Sequence, residues 1–281
     1  MSYLAVECVI PEGREDELTA GLSEIPILGA LIGEEDRGGV PVTVYLAQGD
    51  AAMATGLQAV VAGLGGRSAP PQSMPDADWL AHYRRAVRPF AVGGTWWLDP
   101  HPECPTSAPL GRVRLAIEPR TAFGSGSHES TQLVLLELER APPEGLAVLD
   151  VGTGSAILAL AAERLGARRV VGLDIDLGAV FVARQIAAQQ EWRSQAELLA
   201  GPVAAVGRAT FELILCNMIW EHSRPLLDEL RAVLGKPGAI VLSGLLAVER
   251  AAIRSELAGR GLAVERERQL AEWLCLRVGH G

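Results

Sequence analysis

Four residues at fixed spacing carry the clearest chemical signal in this chain: Asp150, Gly152, Gly154 and Asp174. Gly152-Thr153-Gly154 follows an apolar run at 147–151. Missing Cβ atoms at such a turn let the backbone bend sharply and approach a ligand closely. Asp174 stands twenty residues beyond Gly154, at the end of a second apolar run, 170–173. An acid placed there, a helix and a strand after a glycine turn, is positioned to accept hydrogen bonds from a ribose. The whole stretch, 147–176, predicts strand, turn, helix and strand, with the helix from about Ala156 to Leu165 stopping at Gly166. Such a unit is the nucleoside site of an open α/β sheet. Dinucleotide spacing asks for Gly or Ala at position 157, where Ile157 stands, so a pyrophosphate cradle is disfavoured. The bland alternative is a strand–helix corner without a ligand, and acids at both strand ends count against it.

Other chemically capable residues are scattered. His128 follows the glycine-serine run 124–127 and precedes a helix expected to reach about Arg140. Coming just before the nucleoside unit, residues 118–131 read as a lid or a ligand-contacting loop. Asn217 ends an apolar strand at 211–216, and Glu221 and His222 open the next helix, expected over 221–234. Cys8, Cys104, Cys216 and Cys275 form no C-x-x-C pair, so reduced thiols are expected, with neither disulfide framework nor metal site.

The elements around these residues form an alternating pattern. A length of 281 residues fits one large or two modest domains, and a hydrophobic content of 49% is ample for a core. Residues 1–70 read as β-α-β-β-α with a final strand after Arg67, a ferredoxin-like module without catalytic groups. The run SAPPQS at 68–73 reads as a linker, and an amphipathic aromatic-rich connector helix is expected from Trp79 to Arg88. After a half-exposed strand at 112–117, strands and helices alternate from 147 to 258, and 262–268 with 273–278 form a closing antiparallel pair. The fold class is α/β: a doubly wound Rossmann-like sheet behind a smaller ferredoxin-like α+β module. The expected boundaries are 1–70, 71–105 for linker and connector, and 106–281.

Net charge is −9 with no basic block, which counts against duplex nucleic acid and suits a basic protein partner drawn by long-range attraction. Excess acid that only maintains solubility is the plain alternative. The first residues lack a basic start, and no apolar run nears the roughly 18 residues of a membrane span. A cytoplasmic protein is expected, with no membrane or direct nucleic-acid partner, and a monomer.

With these motifs placed, D-x-G-x-G-x-A at 150–156 resembles the first motif of S-adenosylmethionine-dependent methyltransferases of the Rossmann-like class. Over nearly its whole length the chain resembles the ribosomal protein L11 methyltransferases. The resemblance rests on IEPRTAFGSGSHEST (117–131), LDVGTGSAILALAAERLGA (149–167), VVGLDID (170–176) and ILCNM (214–218), with DWLAHYRRAVRPFAVG (78–93) similar to that family's linker. It implies S-adenosyl-L-methionine as cofactor, contacted by Thr131, Gly152, Gly154, Asp174 and Asn217. It further implies an N-terminal module that binds ribosomal protein L11 and a C-terminal domain that methylates lysine or α-amino groups. Another protein or a small amine as substrate, or cofactor binding without turnover, are the alternatives. Arg120, Ser130 and Ala156 depart from the family pattern, Ala156 mildly because a methyl group usually fits at a helix start; Met218-Ile219-Trp220 is bulkier than usual.

Methyl transfer to nitrogen needs a neutral amine, aimed, more than it needs a strong base. A lysine has a pKa of about 10.4 in water, and removal from water favours its neutral form. Asn217 is the expected catalytic residue, its side-chain oxygen accepting from the amine. Trp220 is a candidate cation–π wall, though packing at the next helix explains it more simply. His128 and His222 are secondary candidates as proton acceptors.

Overall fold

A computed structural model of the chain describes residues 2–22, 25, 27–33, 38–47, 51–75, 88–102, 107–117, 126–190 and 196–281. Most of the expected connector helix with Trp79, the loop residues 118–125 with Arg120, and Cys104 lie outside the described residues. The chain divides into two compact units, Met1–Ala86 and Val87–Gly281.

The first unit runs β1 (Ser2–Ile10), α1 (Glu15–Leu22), β2 (Ile27–Ile32), β3 (Val40–Ala47), α2 (Ala51–Gly63), β4 (Arg67–Ser68) and β5 (Gln72–Pro75). All its strand pairs are antiparallel, in the order β2-β3-β1-β4, with β5 also on β1. Alternation in β1 and β3 turns Val6, Cys8, Ile10, Val42, Val44 and Leu46 inward, where Leu18, Leu57 and Val61 of the two helices cover them. This is the ferredoxin-like order. The SAPPQS run read as a linker instead carries parts of β4 and β5. Both pair with an edge of β1 whose backbone groups would otherwise be open. Pro70 and Pro71, which have no N–H to donate, fall in the gap between them.

The second unit opens with β6 (Phe90–Val92), β7 (Trp96–Asp99) and β8 (Val113–Ala116), a small sheet of its own. There follow α3 (Glu129–Arg140), β9 (Ala147–Val151), α4 (Ile157–Arg164), β10 (Arg169–Asp174), α5 (Leu177–Ala188), β11 (Ala196–Ala200) and β12 (Phe211–Asn217). Then come α6 (Trp220–Ser223), α7 (Leu227–Val233), β13 (Leu234–Leu246), α8 (Arg250–Gly259), β14 (Leu262–Leu270) and β15 (Trp273–His280). The main sheet has the order β11-β10-β9-β12-β13-β15-β14. Its first five strands are parallel, and β15 enters antiparallel between β13 and β14.

Every residue of β9 is buried, as a central strand covered on both faces demands, and separate apolar clusters fill the two faces. From β9 the chain steps outward through β10 to β11, then returns to the opposite side of β9 as β12. The switch point therefore lies between the carboxyl ends of β9 and β12, where ligands bind in open α/β sheets. The helix expected over 221–234 is broken: Pro225 lies in a tight turn at Arg224–Leu226 between α6 and α7, because proline cannot donate within a helix. No helix among the described residues is long and apolar enough to cross a membrane.

Candidate functional site

The glycine turn after β9 is tied down from several sides. Asp150 is buried, and its Oδ2 accepts from Thr153 Oγ1 at 2.7 Å and from Ala159 N at 3.2 Å. Burial pushes this carboxyl up to about 6; the two hydrogen bonds oppose the shift and the nearby Asp174 charge adds to it. Gly152 and Gly154 have φ values of 71° and 51°, in the left-handed region that favours glycine. A Cβ on Gly152 would also lie 2.8 Å from Met218 Sδ. Ala156, read as a mild replacement, has φ 65° while being buried. Its methyl group fits, but the backbone takes the strain that a glycine would avoid.

Asp174 closes the same corner. Its Oδ2 accepts from Gly154 N at 3.0 Å and its Oδ1 from Asp176 N at 3.0 Å. Asp176 in turn caps α5 by accepting from Gly178 N at 2.7 Å. A carboxylate has about four lone-pair positions, so Asp174 keeps acceptor capacity for a ligand after these two bonds.

The opposite wall comes from α3 and the end of β12. His128 caps α3, its Nδ1 accepting from Ser130 N at 3.2 Å, and its ring meets Trp273 edge-on at 4.7 Å. Thr131 is buried in the first turn of α3, and its Oγ1 accepts from Asn217 Nδ2 at 3.1 Å. Asn217 Oδ1 is buried and has no hydrogen-bond partner among the described residues. A buried amide oxygen left in this state costs about 1–3 kcal/mol, which a ligand donor would recover.

One cleft of about 480 Å³ brings these groups together: Thr131, Gly152, Gly154, Asp174 and Asn217 all line it. That size falls in the range of small-molecule sites. His128, His222, Met218 and Trp273 are among the other residues that line it. Trp220 does not; it is buried in the apolar cluster with β12 and β13, which fits the packing reading and removes the cation–π one. Among the described residues, the tryptophan that lines the cleft is Trp273, which the sequence reading had only as the start of the last strand. Its placement follows from the antiparallel return of β15, which sets Trp273 opposite Leu246 at the carboxyl end of β13.

The described cysteines are buried free thiols. Burial pushes Cys8 up to about 11 and Cys216 up to about 12, and raises Cys275 further still, so none is a thiolate nucleophile at neutral pH. Among the described residues, no group of three or more His, Cys, Asp or Glu is placed to hold a metal ion.

A protein-family model described as ribosomal protein L11 methyltransferase (PrmA) matches residues 20–280 of this chain. A ribosomal protein L11 methyltransferase of Pelobacter propionicus is 38% identical over 205 residues, which cover 71% of this chain and 65% of that protein. One from Geobacter metallireducens is 36% identical over 210 residues, covering 74% of this chain and 69% of that protein. The matched segment thus spans about two thirds of the length of these relatives. Among solved structures, a ribosomal protein L11 methylase from Lactobacillus delbrueckii subsp. bulgaricus superposes with a TM-score of 0.64 at 28% identity. That match covers 69% of this chain and 99% of the solved one.

Proposed function

The chain belongs to the ribosomal protein L11 methyltransferase family, and on that premise we propose that it transfers methyl groups from S-adenosylmethionine to lysine side-chain or α-amino groups of ribosomal protein L11. The observation that carries this reading is the buried Oδ1 of Asn217 at the switch-point cleft, without a partner among the described residues, with its amide nitrogen held by Thr131. Bound there, S-adenosylmethionine would supply an electrophilic methyl group on a sulfonium.

The residues present fit that cofactor. Gly152 presents backbone where a side chain would intrude, and Asp174 has acceptor capacity for ribose hydroxyls on a carboxylate anchored by two backbone N–H groups. Thr131 and Asn217 form the wall across the switch point from the glycine turn.

In this reading Asn217 Oδ1 accepts from the substrate nitrogen and aims its lone pair. The Asn217 amide nitrogen donates one proton to Thr131 Oγ1, which holds the side chain with Oδ1 as the acceptor offered to the amine. An oxygen acceptor without formal charge orients a neutral amine without strongly favouring the ammonium form. The proton leaves to water before attack, and the low-dielectric walls of the cleft favour the neutral amine. His128 Nδ1 is engaged in capping α3, so its part is to fix the helix start; His222 also lines the cleft. Residues 1–70 are assigned to recognition of the protein substrate, which a net charge of −9 helps to attract when that substrate is basic. The enzyme works as a cytoplasmic monomer without direct nucleic-acid contact. Incubation with labelled S-adenosylmethionine and a purified ribosomal-protein mixture tests the reading: label is expected in L11, and label in another protein or none at all overturns it.

A further inference from the structure

We propose that Ser243, at the carboxyl end of β13, is a positioning residue that holds the Asn217 amide in its working orientation through the first turn of α3. The inference deepens the methyl-transfer reading of the cleft and rests on it. Ser243 is fully buried and stands beside Asn217 in the parallel register of β12 and β13. Its hydroxyl donates to the Ser130 carbonyl at 2.9 Å, with the Leu274 carbonyl at 3.2 Å as a second acceptor and the Cys275 thiol also in hydrogen-bond contact. Its own carbonyl accepts from Met218 N at 3.1 Å. One residue beyond Ser130, Thr131 Oγ1 receives the Asn217 amide. A closed circuit results, from β13 to α3, from α3 to Asn217 on β12, and from β12 back to Ser243.

The surroundings make a hydroxyl here a costly choice without such a role. Ile240, Val241, Leu242 and Leu245 of the same strand are all buried apolar residues, and a buried hydroxyl is unfavourable unless bonded. A carbonyl in a helix has a second lone pair, so Ser130 can accept from Ser243 while keeping its place in the helix. The sheet beside it has little freedom to compensate. Gly244 has φ 77°, and a Cβ there would lie 2.8 Å from the Met218 backbone. Without the Ser243 hydroxyl, the start of α3 loses its direct side-chain tie to β13. The bond from Asn217 to Thr131 must then orient both partners, and an amide can turn over to exchange its oxygen and nitrogen.

Asn217 is the only asparagine in the sequence, so selective labelling with side-chain 15N-asparagine gives one amide pair that reports on this residue alone. In the full-length wild-type chain, one of the two protons is expected to be protected by the bond to Thr131. Ser243→Ala is expected to speed exchange of that proton roughly tenfold. It should lower kcat on L11 about ten- to a hundredfold, as misplacement of a reacting group does. The KM for L11 and the calorimetric Kd for S-adenosylmethionine should stay within about threefold, and in a Thr131→Val background the same change should cost at most about twofold in kcat. If Ser243→Ala fails to fold, Ser243→Cys, a weaker donor of similar size, is expected to give the same changes at smaller amplitude. A folded variant that keeps both the wild-type Asn217 amide signal and wild-type kcat overturns the inference, and so does a loss of equal size in both backgrounds. A wild-type chain that methylates nothing refutes the functional reading, while the amide signal still decides whether Ser243 orients Asn217.

Discussion

Replacing Asp174 by asparagine tests the architecture of the cofactor corner more sharply than replacing it by alanine. Both carboxylate oxygens accept a backbone N–H, Oδ2 from Gly154 and Oδ1 from Asp176, each at 3.0 Å. An amide has only one oxygen, so Asp174→Asn must set its NH2 against one of those two N–H donors. Either Gly154 loses its anchor or the loop at Asp176 does, and in both cases two donors face each other. Loss of a charge-assisted acceptor for the ribose is worth about 1.5–3 kcal/mol. At 1.4 kcal/mol per decade that is roughly a ten- to hundredfold loss of affinity. Asp174→Ala is expected to lie in this range, and Asp174→Asn, although nearly isosteric, beside it and not near wild type. Titration calorimetry with S-adenosylmethionine at pH 7.5 measures both, with circular dichroism as the check on folding. An Asp174→Asn variant that binds within threefold of wild type would mean that the carboxylate does not hold the corner, and the reasoning would be refuted.

Asn217→Ala is expected to lower turnover at least about a hundredfold through lost positioning. Folding should suffer by only about 1 kcal/mol, for the single bond to Thr131; near-normal turnover in a folded variant would return Asn217 to a structural part. Asp150 makes stability depend on pH, because its folded pKa of about 6 stands above the ordinary 3.8. Its contribution is fully present below about 3.8 and is lost as pH rises to about 6, a fall on the order of 3 kcal/mol at 1.36 kcal/mol per unit. Urea unfolding of wild type and Asp150→Asn between pH 4 and 7 should show wild type losing stability relative to the variant; a constant difference contradicts this. A shortened chain of residues 87–281 is expected to bind S-adenosylmethionine within about threefold of the full chain and to lose methylation of L11. Retained methylation would remove the recognition role from the first unit.

The parts of the site that depend on neighbours along the chain were legible in the sequence. The glycine turn, the strand-end acid and the strand that delivers Asn217 are each local, and burial on both faces wrote β9, β10 and β12 as apolar runs. What was hidden depends on pairing between distant segments. Trp273 reaches the cleft only because β15 returns antiparallel beside β13, and Ser243 meets Ser130 across a separation of 113 residues. No periodicity within either segment encodes those contacts. One misreading had a local remedy: Pro225 was a visible reason to break the helix over 221–234. The full extent of β13, Leu234–Leu246, is set by its pairing with β12 and β15. Ala156 lay between these cases. Its burial could be guessed at a helix start, but its positive φ is a property of the turn that only coordinates reveal.

The most direct test is methyl transfer to purified L11 by the wild-type chain, followed by intact-mass and peptide mass spectrometry. The enzyme itself carries a single lysine, Lys236, so methylation of its own side chains adds little to the background. Mass increments of one or more methyl groups on L11 are expected, confined to lysine or α-amino nitrogens and accumulating at least about a hundredfold more slowly with Asn217→Ala. An unmodified L11 beside a chain that binds S-adenosylmethionine, or methylation at a near-normal rate by a folded Asn217→Ala variant, would contradict the account.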